Sequence, residues 1–321
     1  MNRYYAYKFL QCDSVKDVAS ILGVSTFFMS YLSLQANDYS IFKIKKKSGG
    51  SREIEAPNKE LKKIQTRLAE ILKEVYIIQA HDRCFGYVGL HDKFNKGIVA
   101  NAKCHVGQKY LLNMDIKNFY PSIKKATIAN VFRIKPFEFS DSVVLFLTEI
   151  TCLDYLPTGA PTSPVLSNIV CWWLDEELNN LAKTNKLVYS RYVDDLTFSG
   201  DEIDIELISN SVALILEKFN LEVNSQKTRL QAQTSRQMVT GITVNEKPNI
   251  NRKYIRKVRA ELHQLNLFPE KVNEKTMERL RGKINFIGEV RGRKDSVYLK
   301  QIKTFHLVEA YAKRKADQDL Q

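Results

Sequence analysis

No apolar run in this sequence reaches the ~18 residues expected of a membrane span. The first residues, MNRYYAYKFLQCDS, have neither a long apolar core nor a small-residue cleavage pattern, so no membrane contact and no signal peptide are expected. Cysteine is sparse. Cys12, Cys84, Cys104, Cys152 and Cys171 are scattered, odd in number and without a CxxC pair. That argues against a disulfide or zinc framework and fits reduced thiols in a cytoplasm. Cys104-His105 has no second pair at metal-ligand spacing. Internal repeats and low-complexity segments are absent. Acidic residues are in deficit, 36 against 49 Lys plus Arg, for a formal net charge of +13. Such an excess favours a polyanionic partner, nucleic acid first, while an anionic membrane surface fits less well because no amphipathic anchor stands out. Hydrophobic content of 44% and charged content of 26% fit a globular chain, and 321 residues can bury a large core or split into lobes.

What is present centres on Leu187 to Gly200, LVYSRYVDDLTFSG. Strand-favouring residues flank adjacent Asp194 and Asp195, a pattern that predicts a β-hairpin with two carboxylates at its tip. Strand neighbours point to opposite faces, so the pair can cooperate only where a tight turn breaks the alternation. Two close carboxylates repel, and a divalent cation relieves them, with hard oxygen ligands suiting magnesium. A solvated Asp-Asp turn is the alternative. A third carboxylate, Asp115, ends the apolar strand Tyr110 to Met114 and precedes a turn at Phe119-Tyr120-Pro121-Ser122. Alone it reads as a turn residue. Together with the hairpin acids it can hold two metal ions roughly 3.5–4 Å apart, suited to in-line phosphoryl chemistry.

Around this pair, residues 14 to 34 read as helix, turn, helix, with Ser14 and Asp17 resembling a capping box and Gly23 at the turn. The second helix offers Phe27, Phe28, Met29, Tyr31 and Leu32 where a DNA reader needs polar and basic residues, which indicates packing. Residues 39 to 56 predict a basic hairpin around Ser48-Gly49-Gly50. Lys43, Lys45, Lys46, Lys47 and Arg52 make it either a solvated edge or a flap that grips phosphate. Helices are expected at 58–78, 140–152, from Val165 to Leu174, and at 203–219, with a loop at 84–99. LPTGAPTSP, Leu156 to Pro164, is a stiff turn with Ser163 placed to cap the following helix. Lys227 lies beside a strand-like return, 237–251 reads as a hairpin, and the last 70 or so residues are helical and basic.

In this order the chain is similar to reverse transcriptases, with basic flap, Asp115 with Phe119-Tyr120, LPTGAPTSP, YVDD, Lys227 and a basic helical lobe. More narrowly it resembles bacterial retron reverse transcriptases: Asn101-Ala102 with His105 matches an NAxxH signature, and Val239-Thr240-Gly241 matches a VTG signature. The resemblance implies an α+β, right-hand polymerase fold with fingers, a palm of antiparallel sheet with packed helices, and a helical thumb. Residues 1–105 would be N-terminal helices and fingers, 106–250 palm with an interleaved fingers segment at about 124–160, and 251–321 a basic thumb. Asp115, Asp194 and Asp195, with the Ile116 carbonyl, would bind two Mg2+, manganese being a possible substitute. Lys47, Arg52, Tyr120, Thr158 and Lys227 would serve the deoxynucleoside triphosphate, with Tyr120 as gate against a 2′-hydroxyl and Lys227 supporting the site from behind. RNA would meet Asn101, His105, Val239, Thr240, Gly241, Arg252, Lys253, Arg256, Lys257 and Arg259.

The resemblance further implies copying of a structured noncoding RNA from a guanosine 2′-hydroxyl, giving branched DNA. It also implies host RNase H and a separate effector as partners, with a role in phage defence. Two departures stand out: Thr158 occupies the place of the usual Gln in LPQG, and Val193 that of the common Ala in YADD. The rivals are a group II intron or other phage-defence reverse transcriptase, and an RNA-binding scaffold on a polymerase fold.

Overall fold

Short apolar repeats at helical spacing build the first part of the chain. In the computed structural model, which describes residues 3–28, 39–45, 49–88, 96–268 and 272–319, helices α1 (Arg3–Leu10) and α2 (Val15–Leu22) pack on the long α3 (Lys59–Gln79). Phe9, Val18, Leu22, Leu68 and Leu72 are buried between them. The Ser14 capping box is reciprocal. Ser14 Oγ accepts from Asp17 N at 3.3 Å and Asp17 Oδ2 accepts from Ser14 N at 3.0 Å, so Asp does here what Glu usually does. Helix α2 stops at left-handed Gly23. Of the helix expected next, Met29, Tyr31 and Leu32 lie outside the described residues, as do Lys46, Lys47, Ser48 and Gly89.

Strands β1 (Tyr39–Lys45) and β2 (Ser51–Pro57) form the expected antiparallel hairpin, in the register Tyr39 to Pro57 and Ile44 to Arg52. A four-stranded sheet follows, in the order β4-β5-β3-β6, from β3 (Tyr110–Asp115), β4 (Val188–Tyr192), β5 (Asp195–Gly200) and β6 (Arg229–Ala232). The helices along this part of the chain are α4 (Ile98–Lys103), which belongs to the second unit below, and α5 (Phe119–Ser122), α6 (Lys125–Arg133), α7 (Asp141–Thr151), α8 (Ser163–Val170), α9 (Trp172–Thr184) and α10 (Ile205–Lys218).

Three expectations need correction. The helix expected from Val165 to Leu174 breaks at Cys171, whose ψ of 8° leaves the helical range. The apolar run gives no sign of it, because α8 is buried almost all round whereas α9 buries one face. Ser163 does not cap α8 but is its first residue, and its hydroxyl donates to the Pro157 carbonyl at 2.6 Å, bracing the turn. The loop expected over 84–99 gives way to α4 at Ile98.

The chain forms two compact units. One is Met1–Gly97 with Leu112–Leu230, the other Ile98–Leu111 with Gln231–Gln321. The second has its own core, in which Val99 and Leu111 join the hairpin β7 (Met238–Val239) and β8 (Ile242–Thr243) and three helices, α11 (Arg252–Leu267), α12 (Glu274–Arg291) and α13 (Ser296–Asp319). Among the described residues no helix is long and apolar enough to cross a membrane, and all five cysteines are free.

One charge lies at the heart of the first unit. Arg191 on β4 and Asp175 on α9 are both fully buried. Arg191 Nε and Nη2 donate to the two Asp175 oxygens at 2.7 and 2.6 Å, and Nη1 donates to Asn168 Oδ1 at 3.1 Å and to the Val193 carbonyl at 3.0 Å. Tyr189 Oη donates to the same carboxylate at 2.9 Å. Breaking one side of such a pair strands a buried charge. Arg191→Met is therefore expected to cost about 3–5 kcal/mol of folding stability in urea unfolding, and Arg191→Met with Asp175→Leu to cost less than the single change.

Candidate active site

The hairpin of β4 and β5 pairs Tyr192 with Asp195, leaving Val193 and Asp194 as a two-residue turn. Asp195 is thus the first residue of β5, and only Asp194 lies within the turn. Val193 has φ of +63°, a left-handed conformation unusual for a β-branched residue. Arg191 holds its carbonyl, and Gly86 holds its other side. A Cβ on Gly86 would stand 2.7 Å from the Val193 backbone nitrogen, so the loop approaches the turn only because residue 86 has no side chain.

Strand β3 lies next to β5, which brings Asp115 to this turn. The backbone N–H of Ile116 donates to the Asp194 carbonyl at 2.9 Å, and Asn113 Nδ2 donates to Thr197 Oγ1 at 3.3 Å. Burial raises the Asp194 carboxyl pKa, and the Asp115 charge raises it further, against opposing pulls from Lys227 and Arg52. Burial, then Asp194 and Asp115, push Asp195 up to about 6. Asp194 and Asp195 therefore carry their charge less readily than free carboxyls, through burial first and their acidic neighbours second.

Lys227, from the 3-10 turn Ser225–Lys227, donates to both Asp115 oxygens at 2.8 Å. Its side chain is 59% exposed while that of Asp115 is 9% exposed, so the cation reaches in from solvent. Asn224 supports the same residue, its N–H donating to the Asp115 carbonyl at 2.7 Å and its amide to Oδ2 at 3.3 Å. Among the described residues no group of three or more His, Cys, Asp or Glu stands close enough together to hold a metal ion as it is. The donor chemistry nevertheless fits a hard divalent cation, with oxygen-only carboxylates, of which Asp194 and Asp195 have pKa values raised by burial first and by neighbouring negative charge second.

Tyr120, on α5, has its phenol pKa raised by burial first, then by Tyr87 and by the charge of Asp194. Arg52 on β2 is exposed, and its charge reaches Asp194. Thr158 faces elsewhere. Its N–H donates to Glu55 Oε2 at 3.0 Å and its hydroxyl to the Glu53 carbonyl at 3.0 Å. Glu55 is 5% exposed and also accepts from Tyr155 Oη at 2.6 Å. Gly159 completes the joint, since a Cβ there would meet the Glu55 carbonyl oxygen at 2.4 Å. The LPTG turn thus clamps the root of the β1–β2 hairpin. Lys47 lies outside the described residues.

The sequence reading missed Glu55, Asp175, Arg191 and Asn224. An arginine inside an otherwise apolar strand was the one available signal, since such a charge needs a buried partner.

In the second unit, Asn101 and His105 are buried at 1% and 0% exposure, so their side chains face the interior and not solvent. Thr240 Oγ1 donates to the Ile98 carbonyl at 2.9 Å, tying the hairpin turn to α4. Thr240 and Gly241 both have positive φ, as a two-residue type I′ turn requires. Arg252, Lys253, Arg256, Lys257 and Arg259 are exposed on α11.

Residues 44–244 match the family described as reverse transcriptase (RNA-dependent DNA polymerase). Retron Ec83 reverse transcriptase of Escherichia coli is 33% identical over 270 residues, covering 79% of this chain and 83% of that protein. Retron Ec86 reverse transcriptase of the same organism is 32% identical over 255 residues, covering 78% and 75%. The chain belongs to the retron reverse transcriptase family. Retron Mx65 reverse transcriptase of Myxococcus xanthus is 32% identical over 272 residues, but the match spans only 62% of that protein's length. Membership of the family brings with it the α+β, right-hand polymerase class that the sequence led us to expect.

Within this retron-type polymerase the hairpin clamp is open to a direct test. Thr158→Val removes one hydrogen bond and is expected to lower stability by about 1 kcal/mol. Gly159→Ala drives a methyl into the Glu55 backbone carbonyl and is expected to cost about 2–3 kcal/mol. Urea midpoints in that order check the clamp, and equal midpoints for the two variants contradict it.

Proposed function

We propose that this chain copies part of a structured noncoding RNA into single-stranded DNA, starting from the 2′-hydroxyl of a guanosine in that RNA, so that the DNA is branched onto it. The observation that carries the polymerase reading is the meeting of Asp115, at the end of β3, with the Asp194–Asp195 turn of the neighbouring hairpin, tied by the Ile116 N–H to the Asp194 carbonyl. In this reading Asp115, Asp194, Asp195 and the Ile116 carbonyl hold two Mg2+, with Mn2+ able to substitute. When bound, such ions supply Lewis-acid stabilisation of the charge that develops on the attacking and leaving oxygens. Lys227 shares Asp115 with them and so tunes the charge the site presents. Arg52 holds the triphosphate by its planar fork, and Tyr120 rejects a 2′-hydroxyl by bulk.

The proposed subdomains are fingers over 1–105, palm over 106–250 with a fingers segment near 124–160, and thumb over 251–321. RNA is held by the exposed cations of α11, while Asn101, His105 and the Val239-Thr240-Gly241 turn shape the surface around it from within. Deoxynucleoside triphosphates are the substrates. A cytoplasmic location, trimming by host RNase H and a separate effector in phage defence complete the proposal, supported by the family alone.

Expression with the native flanking DNA should yield a discrete single-stranded DNA that keeps a branched ribonucleotide after RNase treatment. Asp194→Asn should abolish it while leaving co-purifying RNA in place. DNA without a branch overturns the priming step, and DNA from the Asp194→Asn protein overturns the site. On a primed RNA template, Tyr120→Ala is expected to raise ribonucleotide incorporation by roughly tenfold or more, about 1.4 kcal/mol of lost discrimination. Lys227→Gln removes a cation competing for Asp115 and is expected to tighten Mn2+ binding several-fold, read by electron paramagnetic resonance.

A further inference from the structure

The segment from Arg83 to Val88 runs along the outer edge of β4. Arg191 N–H donates to the Arg83 carbonyl at 2.8 Å, Cys84 forms a parallel bridge with Arg191, and Phe85 N–H donates to the Arg191 carbonyl at 2.9 Å. Asn168 Nδ2 then donates to the Gly86 carbonyl at 2.8 Å. Gly86 lies on the Val193–Asp194 turn itself, where an added Cβ would stand 3.3 Å from the Tyr192 carbonyl carbon and 2.7 Å from the Val193 nitrogen. Cys84, Phe85, Gly86 and Val88 are buried, whereas Tyr87 between them is 53% exposed.

Tyr87 has φ of +57°. Left-handed backbone is open to glycine and tolerated by asparagine, but it crowds the Cβ of a bulky residue. A glycine at 87 would make the same bend freely, so the bend alone does not call for an aromatic ring. Core packing does not account for the ring either, since half of the residue faces solvent. Strain of this kind collects at active sites and ligand clamps, where the surrounding structure holds a side chain in place. Here the buried residues on either side of Tyr87 supply that hold.

We infer that Tyr87 touches the substrate of the polymerase reaction. Its ring packs on the base pair at the 3′ end of the growing DNA and holds that end against the turn. The inference rests on the proposed function, in which the 3′ end is drawn to Asp115, Asp194 and Asp195. Gly86 touches the residue before Asp194, and Tyr87 follows Gly86 by one step of ~3.8 Å, so the ring rises beside the place that this end must occupy. An uncharged ring suits the apolar surfaces of bases and sugars, not the phosphates. Such packing tolerates every sequence, because every base has a π-face.

The test uses the full chain, with oligo(dG) extended by dGTP on poly(rC) and with a labelled, 3′-recessed DNA–RNA duplex for fluorescence anisotropy. Tyr87→Asn removes the ring and keeps a residue that accepts left-handed backbone. It is expected to lower both the affinity for the duplex and the kcat/KM for the primer–template roughly tenfold. The slope of log affinity against log salt should stay as in wild type, because no phosphate contact is lost. Tm should hold or rise by up to about 3 °C as the strain is relieved. Tyr87→Phe keeps the ring and should stay within about twofold of wild type in every measure.

The ring contact is overturned by a Tyr87→Phe protein that loses as much as Tyr87→Asn, by a changed salt slope, or by a Tyr87→Asn protein that melts several degrees lower, which would make the ring structural. Normal extension with dGTP joined to raised incorporation of GTP would make Tyr87 a prop for Tyr120 and overturn it too. If wild type extends the primer and Tyr87→Asn matches it, this inference alone fails and the polymerase reading stands. If wild type extends no primer, the polymerase reading itself fails and takes this inference with it.

Discussion

The buried Arg191 guanidinium is the constraint on which the first unit depends. A charge with five donors cannot sit in a protein interior unless each donor is answered. The answers come from distant places in the chain, with Asp175 on α9, Asn168 on α8, the sulfur of Cys84 and the carbonyl of Val193. The backbone joins in, because Arg191 N–H donates to the Arg83 carbonyl at 2.8 Å and Phe85 N–H to the Arg191 carbonyl at 2.9 Å. The break at Cys171 belongs to the same arrangement, since it separates the helix that supplies Asn168 from the one that supplies Asp175. The turn that carries Asp194 is thus gripped from beneath, and a strained Val193 is held in a conformation it would not choose alone.

Against that rigid base, the acidic cluster at the surface of the turn is left electrostatically unsatisfied. Lys227 compensates Asp115 directly but only moderates the other two, whose pKa values stay raised. The fold spends its best ion pair on geometry and leaves Asp194 and Asp195 without a direct cationic partner, which is the charge balance that the proposed metal and triphosphate site requires.

Much of this could be read from residue patterns. Both hairpins followed from alternation and turn residues. The long α3 followed from apolar spacing, and the meeting of Asp115 with the hairpin acids followed from a strand-end acid and an acidic turn. These signals are local, or add two local signals. Other features depend on contacts that local patterns do not encode. Asp175 looks like any acid on a helix until Arg191 is found 16 residues on, under the same strand pair. Glu55 reads as a solvent-facing residue of a basic hairpin until Thr158 and Tyr155 close on it. Ser163 has the right identity and place for a cap, yet its hydroxyl serves the Pro157 carbonyl. In each case a tertiary hydrogen bond outweighs the local preference.

The clamp at Glu55 makes the β1–β2 hairpin a cantilever. Its root is fixed at Glu55 and Pro57, and by Tyr39 Oη accepting from Gln65 Nε2 at 2.8 Å, while the strand is exposed from Ser51 to Glu53. Arg52 stands three residues out, roughly 10 Å along the strand, so a tilt of about 10° at the root carries it by roughly 2 Å. That is most of the length of a hydrogen bond. In the proposed function the reach of the guanidinium toward a phosphate is therefore set by the stiffness of the joint beneath it, and Thr158 sits in that joint.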